Sequence, residues 1–334
     1  MAKAENGTED GFVQECTVGY PADTKLREEL EETHEVKVVK TGPEAQGWPT
    51  PRPRSFTFGF NKQKWCWMGP STDMAIQQEF DLLFSRSTEL TGDVFFQADM
   101  ETVRRDVFAR LKRRGGPADV GQELTFDRSF LDEMLPPGAL QRLAQYEGNR
   151  PAKQGIESGA FLCDVNQWPE AGCSADGPFF PCQLTHATVV SLNKMRPAVG
   201  LEYLAAQGFH VFPKPGDMHC AVALPLLKSL PTEKLVSLSG NSMSLPALSA
   251  WMLYALSNIQ RVEQFTVQPE LNMLVKGSSN DFASPLKKAD NADGIAFGMA
   301  SSSSSNAALA AHAGPGVIGA AASCHVAKES QAAS

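Results

Sequence analysis

The side chains most able to do chemistry fall into a few groupings. Pro181-Cys182-Gln183 sets a thiol four residues before His186. A thiol attacks as the thiolate, from an ordinary pKa of about 8.5, so it needs an electropositive setting. His210, Asp217, His219 and Cys220 invite a metal reading, but their spacing matches no zinc pattern. Pro213, Pro215 and Gly216 mark an ordinary loop there, and no metal is expected. Arg104, Arg105, Arg110, Lys112, Arg113 and Arg114 form a basic run in which Asp106 is the one acid between Val103 and Arg114. Such a run can neutralise DNA phosphates, or it can be a solvated helix face.

Two further groups sit at strand ends. Glu15 lies in the apolar stretch FVQECTV, where burial would raise its pKa and let it act as an acid. Arg52 and Arg54 alternate with Pro49, Pro51 and Pro53, whose rings pre-set the backbone for rigid presentation of fixed positive charge.

These residues need elements to hold them. Residues 12–18 read as a short buried strand, 23–32 as a helix, and 34–40 (HEVKVVK) as a half-exposed strand by strict alternation. Residues 41–53, rich in Gly and Pro, are a loop, and 54–60 (RSFTFGF) a further strand. This is the grammar of part of an α/β sheet.

From residue 61 to about 160 the pattern is mostly helical, and the stretch reads as a separate insert. Ile76, Phe80, Leu83 and Phe84 mark one helix, capped by Ser71, Thr72 or Asp73. Val103, Val107 and Leu111 mark a second, and a third short one starts after Pro136 and Pro137. Residues 161–276 return to mixed structure. A short helix over Leu201 to Gln207 stops at Gly208, and a longer one runs from Leu245 to Arg261 on a stripe of Leu248, Met252, Ala255 and Ile259. Residues 277–334, dominated by Ser, Ala and Gly, read as a disordered low-complexity tail.

The chain has 334 residues and a net charge of −8, the wrong sign for binding nucleic acid over its whole surface. Any DNA contact must be local. Seven scattered cysteines with no C-x-x-C pair argue against a disulfide framework. No stretch of about 18 apolar residues is present, so no membrane span is expected. The N-terminus lacks the apolar segment of a signal peptide, and the expectation is an intracellular protein, nuclear if it acts on DNA.

Four segments, in order, resemble the later half of the DNA (cytosine-5)-methyltransferase family. In FVQECTVGY, Glu15 takes the place of the glutamate in the family's Glu-Asn-Val, with Cys16 for the asparagine. GWPTPRPRSFTFGF is similar to Gln-x-Arg-x-Arg opening a strand, with Arg52 and Arg54 matching and Thr50 for the glutamine. Arg196, Glu202, Gln207, Gly208 and Phe209 match an Arg, a Glu and a Gln-Gly-Phe. Gly240, Asn241 and Ser242 match the terminal Gly-Asn-Ser turn into a helix. Their order is the specific part, together with a long gap where the family places target recognition.

The resemblance implies a partial S-adenosylmethionine-methyltransferase (Rossmann-like) sheet in 1–60, a target-recognition-like insert in 61–160, and a return segment with a C-terminal helix in 161–276. It implies that Glu15 holds N3 and the amine of an extruded cytosine, with Arg52 or Arg54 at O2. Asn241 and Ser242 would line the S-adenosylmethionine pocket, with Gly240 and Asn241 in a tight turn at positive φ. Glu202 and Gln207 would be structural, holding the short helix against the insert.

The family's Phe-x-Gly-x-Gly cofactor turn and Pro-Cys nucleophile loop should lie upstream of Glu15, where only eleven residues precede Phe12. Cys182 follows Glu15, an order that argues against it as that nucleophile and for a packed or strand-terminal cysteine. The expectation is a truncated or split methyltransferase, inactive alone, using S-adenosylmethionine only when a complementary N-terminal half is supplied. The alternative is a non-catalytic DNA-binding or interaction module derived from that family.

Overall fold

A computed structural model of the chain describes residues 10–115, 124–153, 159–169, 175–213 and 223–262. The tail expected over 277–334 lies outside them. The chain opens with β1 (Gly11–Thr17), α1 (Ala22–Leu30), β2 (His34–Thr41), β3 (Arg54–Asn61) and β4 (Trp65–Trp67). Helices α2 (Asp73–Phe84), α3 (Met100–Arg113), α4 (Arg128–Met134) and α5 (Pro137–Lys153) follow. Short strands β5 (Leu162–Asp164), β6 (Asp176–Gly177), β7 (Val189–Ser191) and β8 (Arg196–Pro197) come next. The rest is α6 (Gly200–Ala206), α7 (Leu224–Ser229), α8 (Thr232–Asn241), α9 (Leu245–Ser257) and β9 (Ile259–Arg261). The architecture is mixed α/β.

Strands β1 and β2 both pair antiparallel with β3, giving the order β1-β3-β2. The register sets Glu15 opposite Phe56, and both Phe12 and Val36 opposite Gly59. Residue 59 must lack a side chain, because a Cβ would lie 2.2 Å from the Phe12 ring. Phe12, Val36 and Val38 pack under α1 through Leu26 and Leu30. On the other face Val13, Val39, Phe56 and Phe58 meet Ile76 and Phe80 of α2 and Trp251 and Tyr254 of α9. Each such large apolar side chain, once buried, contributes about 1.5–3 kcal/mol.

The sheet is therefore covered on both faces, and β2 is largely buried rather than half-exposed. Its alternation misleads because of Lys37, which is buried on the α2–α9 face. The Lys37 ammonium escapes sideways, 2.6 Å from Glu35 and over the Trp67 ring.

Strands β6-β5-β7-β8 form a second antiparallel sheet. Val103, Val107 and Leu111 of α3, Leu131 of α4 and Leu143 of α5 are buried in one cluster with Cys163 of β5 and Val190 of β7. The third expected helix is longer than foreseen, at 17 residues in α5, and α4 was not foreseen. Thr72 caps α2 as expected, accepting from Ala75 N–H.

Helix α6 stops where Gly208 takes φ +91°, as the sequence implies. Helix α9 ends four residues early, because Ile259–Arg261 turn into β9 and pair with Trp65–Trp67 of β4. That pairing joins distant segments and leaves no local periodic signal. The buried face of α9 is Ala247, Ala250, Trp251, Tyr254 and Ala255; of the expected stripe Ala255 is buried, and Leu248 and Ile259 pack at its margin.

Candidate functional site

Arg52 is the centre of the site. Residues 48–53 lead into β3 and are pinned before they arrive. Trp48 Nε1 donates to Ala206 O at 2.9 Å and Thr50 Oγ1 to the same oxygen at 3.3 Å. Phe180 N–H donates to Pro49 O at 2.9 Å, and Arg52 N–H to Glu44 Oε2 at 3.1 Å. Prolines at 51 and 53 narrow the backbone further.

The buried Arg52 side chain then meets three main-chain carbonyls. Nη1 donates to Gln183 O at 3.0 Å, and Nη2 to Gly240 O at 3.1 Å and Ser242 O at 2.9 Å. Two of these carbonyls close α8, where unpaired C=O groups and the helix dipole favour a cation. Burial holds Arg52 below its ordinary pKa, assisted by Arg54 and opposed by Glu15 and Cys182.

Glu15 reaches the same place from β1. Its Oε1 lies 3.2 Å from Arg54 Nε and 3.9 Å from Arg52 Nε. The buried Glu15 Oε1 and Arg52 Nε attract without the alignment of a hydrogen bond. Burial raises the Glu15 pKa, and the two arginines only partly offset it. The arginines thus divide the work. Arg52 staples three segments, while Arg54, bonded to Pro53 O, turns its guanidinium to the carboxylate.

Folding also returns Cys182 to this cluster. The chain order that separates it from Glu15 does not separate it in space, since Gln183 O is bonded to Arg52 and Cys182 acts on Arg52 electrostatically. In the layer beneath, Gln207 is structural as expected but ties α6 to α8 rather than to the insert, and sequence reasoning missed the Gln183–Ser239 contact. The Ser239 hydroxyl lies within hydrogen-bond reach of Gln183 Oε1 and Tyr203 O, and Gln207 Nε2 donates to Ser239 O at 3.2 Å. The signal available was a Gln and a Ser in apolar surroundings, with nothing to say what they bond.

Asn241 and Ser242 close α8 rather than open α9. Neither Gly240 nor Asn241 has positive φ, so the tight-turn expectation fails. Gly240 is needed for another reason: a Cβ there would lie 2.5 Å from Thr185 N. Ser242 has its carbonyl taken by Arg52 and its hydroxyl by Ser239 O at 2.8 Å. Only the exposed Asn241 side chain is left at this turn for a cofactor. The described residues by themselves do not fit S-adenosylmethionine here.

Among known proteins, no family model matches the chain, and no curated protein sequence matches it. Among solved structures it is similar to a mutant Dnmt2 of Spodoptera frugiperda, at 13% identity and a TM-score of 0.33, over 74% of this chain and 66% of that one. It is also similar to the Dnmt2 methyltransferase of S. pombe, at 11% identity and a TM-score of 0.35, over 74% of this chain and 65% of that one. The chain spans about two thirds of the length of each.

The basic run lies on α3 and its C-terminal cap, and part of it serves the fold. Arg110 pairs with the buried Asp106 at 2.8 Å and donates to Ala198 O at 2.8 Å. Arg113 pairs with Glu233, and Arg114 donates to Met134 O. Arg104 is half-buried, while Arg105 and Lys112 are exposed.

Arg196 and Glu202 form a buried bidentate pair at 2.7 and 2.9 Å. Glu202 also accepts Ala98 N–H at 3.0 Å and Val199 N–H at 2.9 Å, which ties the segment before α3 to α6. Among the described residues no group of three or more His, Cys, Asp or Glu could hold a metal, and no helix is long and apolar enough to cross a membrane. Asp217, His219 and Cys220 lie outside those residues.

Proposed function

We propose that this chain is the base-seating part of a DNA (cytosine-5)-methyltransferase-type enzyme. It holds an extruded cytosine, while S-adenosylmethionine and the attacking thiolate are held by polypeptide outside the described residues. The observation that carries this reading is the convergence on Arg52. Three segments far apart in sequence, contributing Glu15, Gln183 and the Gly240–Ser242 turn, meet around one guanidinium, and Arg54, from the segment of Arg52 itself, reaches the same Glu15 carboxylate.

The chemistry follows from those groups. Methyl transfer to C5 requires the ring to become nucleophilic, which a thiolate adding at C6 achieves at the cost of charge on the ring. A glutamate whose burial raises its pKa holds a proton more tightly than an ordinary carboxylate does, and can donate it to N3 while accepting from the exocyclic amine. Arg54, fixed beside it, supplies positive charge for O2. Arg52 touches neither in this reading; it fixes the frame that presents them. The exposed Arg105 and Lys112 meet DNA phosphates.

The test is transfer of labelled methyl groups from S-adenosylmethionine to DNA by the purified chain. No transfer is expected from this chain alone. Transfer that survives removal of every other protein would overturn the division of labour, and Cys182→Ala would then show whether that thiol is the nucleophile.

A further inference from the structure

The three-stranded sheet has two outer edges, and the chain treats them differently. On β2, Lys62 N–H donates to Thr33 O, so odd-numbered residues bond toward β3 and even-numbered ones turn outward. That outer edge is plugged by side chains. Gln77 of α2 accepts Lys40 N–H at 2.8 Å and donates to Lys40 O at 3.1 Å, the pair of bonds a neighbouring strand would make. Arg27 of α1 donates to Val36 O at 3.2 Å.

Among the described residues the β1 edge has no such plug. Asn61 N–H donates to Asp10 O, so even-numbered residues bond toward β3, while Gly11, Val13, Glu15 and Thr17 turn outward. Tyr20 N–H takes Thr17 O at 2.9 Å. Among the described residues, nothing bonds the outward main-chain groups of Gly11, Val13 or Glu15. Natural edge strands are guarded by proline, lysine, a bulge or an outward charge. This strand has no proline or lysine, keeps one-to-one register with β3, and turns its Glu15 carboxylate onto Arg54.

We infer that the open edge of β1 pairs antiparallel with β1 of a second copy of this chain, about a twofold axis through Val13. The edge is self-complementary in that register. Val13 faces Val13, Gly11 faces Glu15 and Phe12 faces Gln14, so no like charges meet and a glycine leaves room beside the glutamate. The outward residues are those that exchange both bonds with their opposites in an antiparallel ladder. The result is one continuous sheet whose two remaining edges are both β2 strands plugged by Gln77. The association is closed and stops at two copies. It stands independently of the base-seating reading.

Sedimentation velocity on the full chain across the micromolar range tests it, with the wild type expected to be a dimer. Val13→Pro deletes an outward N–H and leaves the bonds of Phe12 and Gln14 to β3 in place. It is expected to weaken the dimer by roughly tenfold or more through loss of the bonds centred on Val13. Should that variant misfold, Val13→Lys sets like charges across the axis and is expected to give a folded monomer. A wild-type monomer at every concentration, or a dimer that neither variant weakens, would overturn the inference. So would a monomer whose Val13 and Glu15 amides exchange slowly, since another segment of the chain would then cover the edge.

Discussion

The Arg54 guanidinium lies 3.2 Å from the Glu15 carboxylate, brought there by the register that sets Glu15 opposite Phe56. The pair is strongly placed but poorly solvated, and burial outweighs both arginines in setting the Glu15 pKa above its ordinary value of 4.5. A raised folded pKa means the native state binds this proton more tightly than the unfolded state does. The Glu15 contribution to stability is therefore most favourable below about pH 4.5 and is lost as pH rises through the raised value. Glu15→Gln removes that loss. Thermal melts from pH 4 to pH 8 should show the melting temperature of the variant gaining on the wild type as pH rises. A difference that stays flat, or shrinks, would show that the arginines dominate.

Arg52 and Arg54 should separate by stability. Arg52→Met leaves the carbonyls of Gln183, Gly240 and Ser242 without their buried donor and removes a charge facing Glu15. The expected cost is about 3–5 kcal/mol. Arg54→Met gives up one carbonyl bond and one ion pair nearer the surface, for about 1–2 kcal/mol. Urea denaturation of both variants checks the order, and equal costs would refute the division between staple and presenter.

Much of this is legible in the sequence, and the reasons are local. The β1 and β3 segments announce themselves by apolar runs bounded by turn residues, and the motifs carrying Glu15 and Arg52 lie at their ends. What Arg52 binds was not legible, because its acceptors are main-chain carbonyls and any sequence supplies those. The C-terminus of α9 was misread for a similar reason: Ile259 continues the helical stripe, but a strand partner at Trp67 wins. Lys37 reads as a solvent-facing position and is buried, since an aromatic ring and a glutamate await its ammonium.

Glu202 should be among the most sensitive positions. Its carboxylate serves Arg196 and the N–H groups of Ala98 and Val199 in a fully buried setting. Glu202→Ala is expected to cost about 3–5 kcal/mol, because it leaves Arg196 charged and unpaired. Hydrogen exchange should show the loss at Ala98 and Val199 first. Unchanged protection at both amides would remove this carboxylate as the tie between α6 and the segment before α3.

The basic run should split into two classes. Replacing Arg105 and Lys112 together by Ala should leave stability within error and reduce the log–log salt slope of DNA binding by roughly 0.9 per lost phosphate contact. Arg110→Ala should instead destabilise, because Asp106 is buried against it. Identical DNA binding by wild type and double variant at every salt concentration would dissociate α3 from nucleic acid.

The most direct measurement is base discrimination at a position free to leave the helix. A duplex carrying one cytosine opposite an abasic site is compared with the same duplex carrying thymine there, by equilibrium binding to the purified chain. Glu15 and Arg54 acting on N3, the amine and O2 should favour cytosine by about 1–3 kcal/mol, the range for a good bidentate base contact. Glu15→Ala, which removes both the donor to N3 and the acceptor for the amine, should erase most of that preference with little change in binding to fully paired DNA. Equal affinity for the two duplexes, or a cytosine preference that survives Glu15→Ala, would contradict the assignment of this cluster as a cytosine seat.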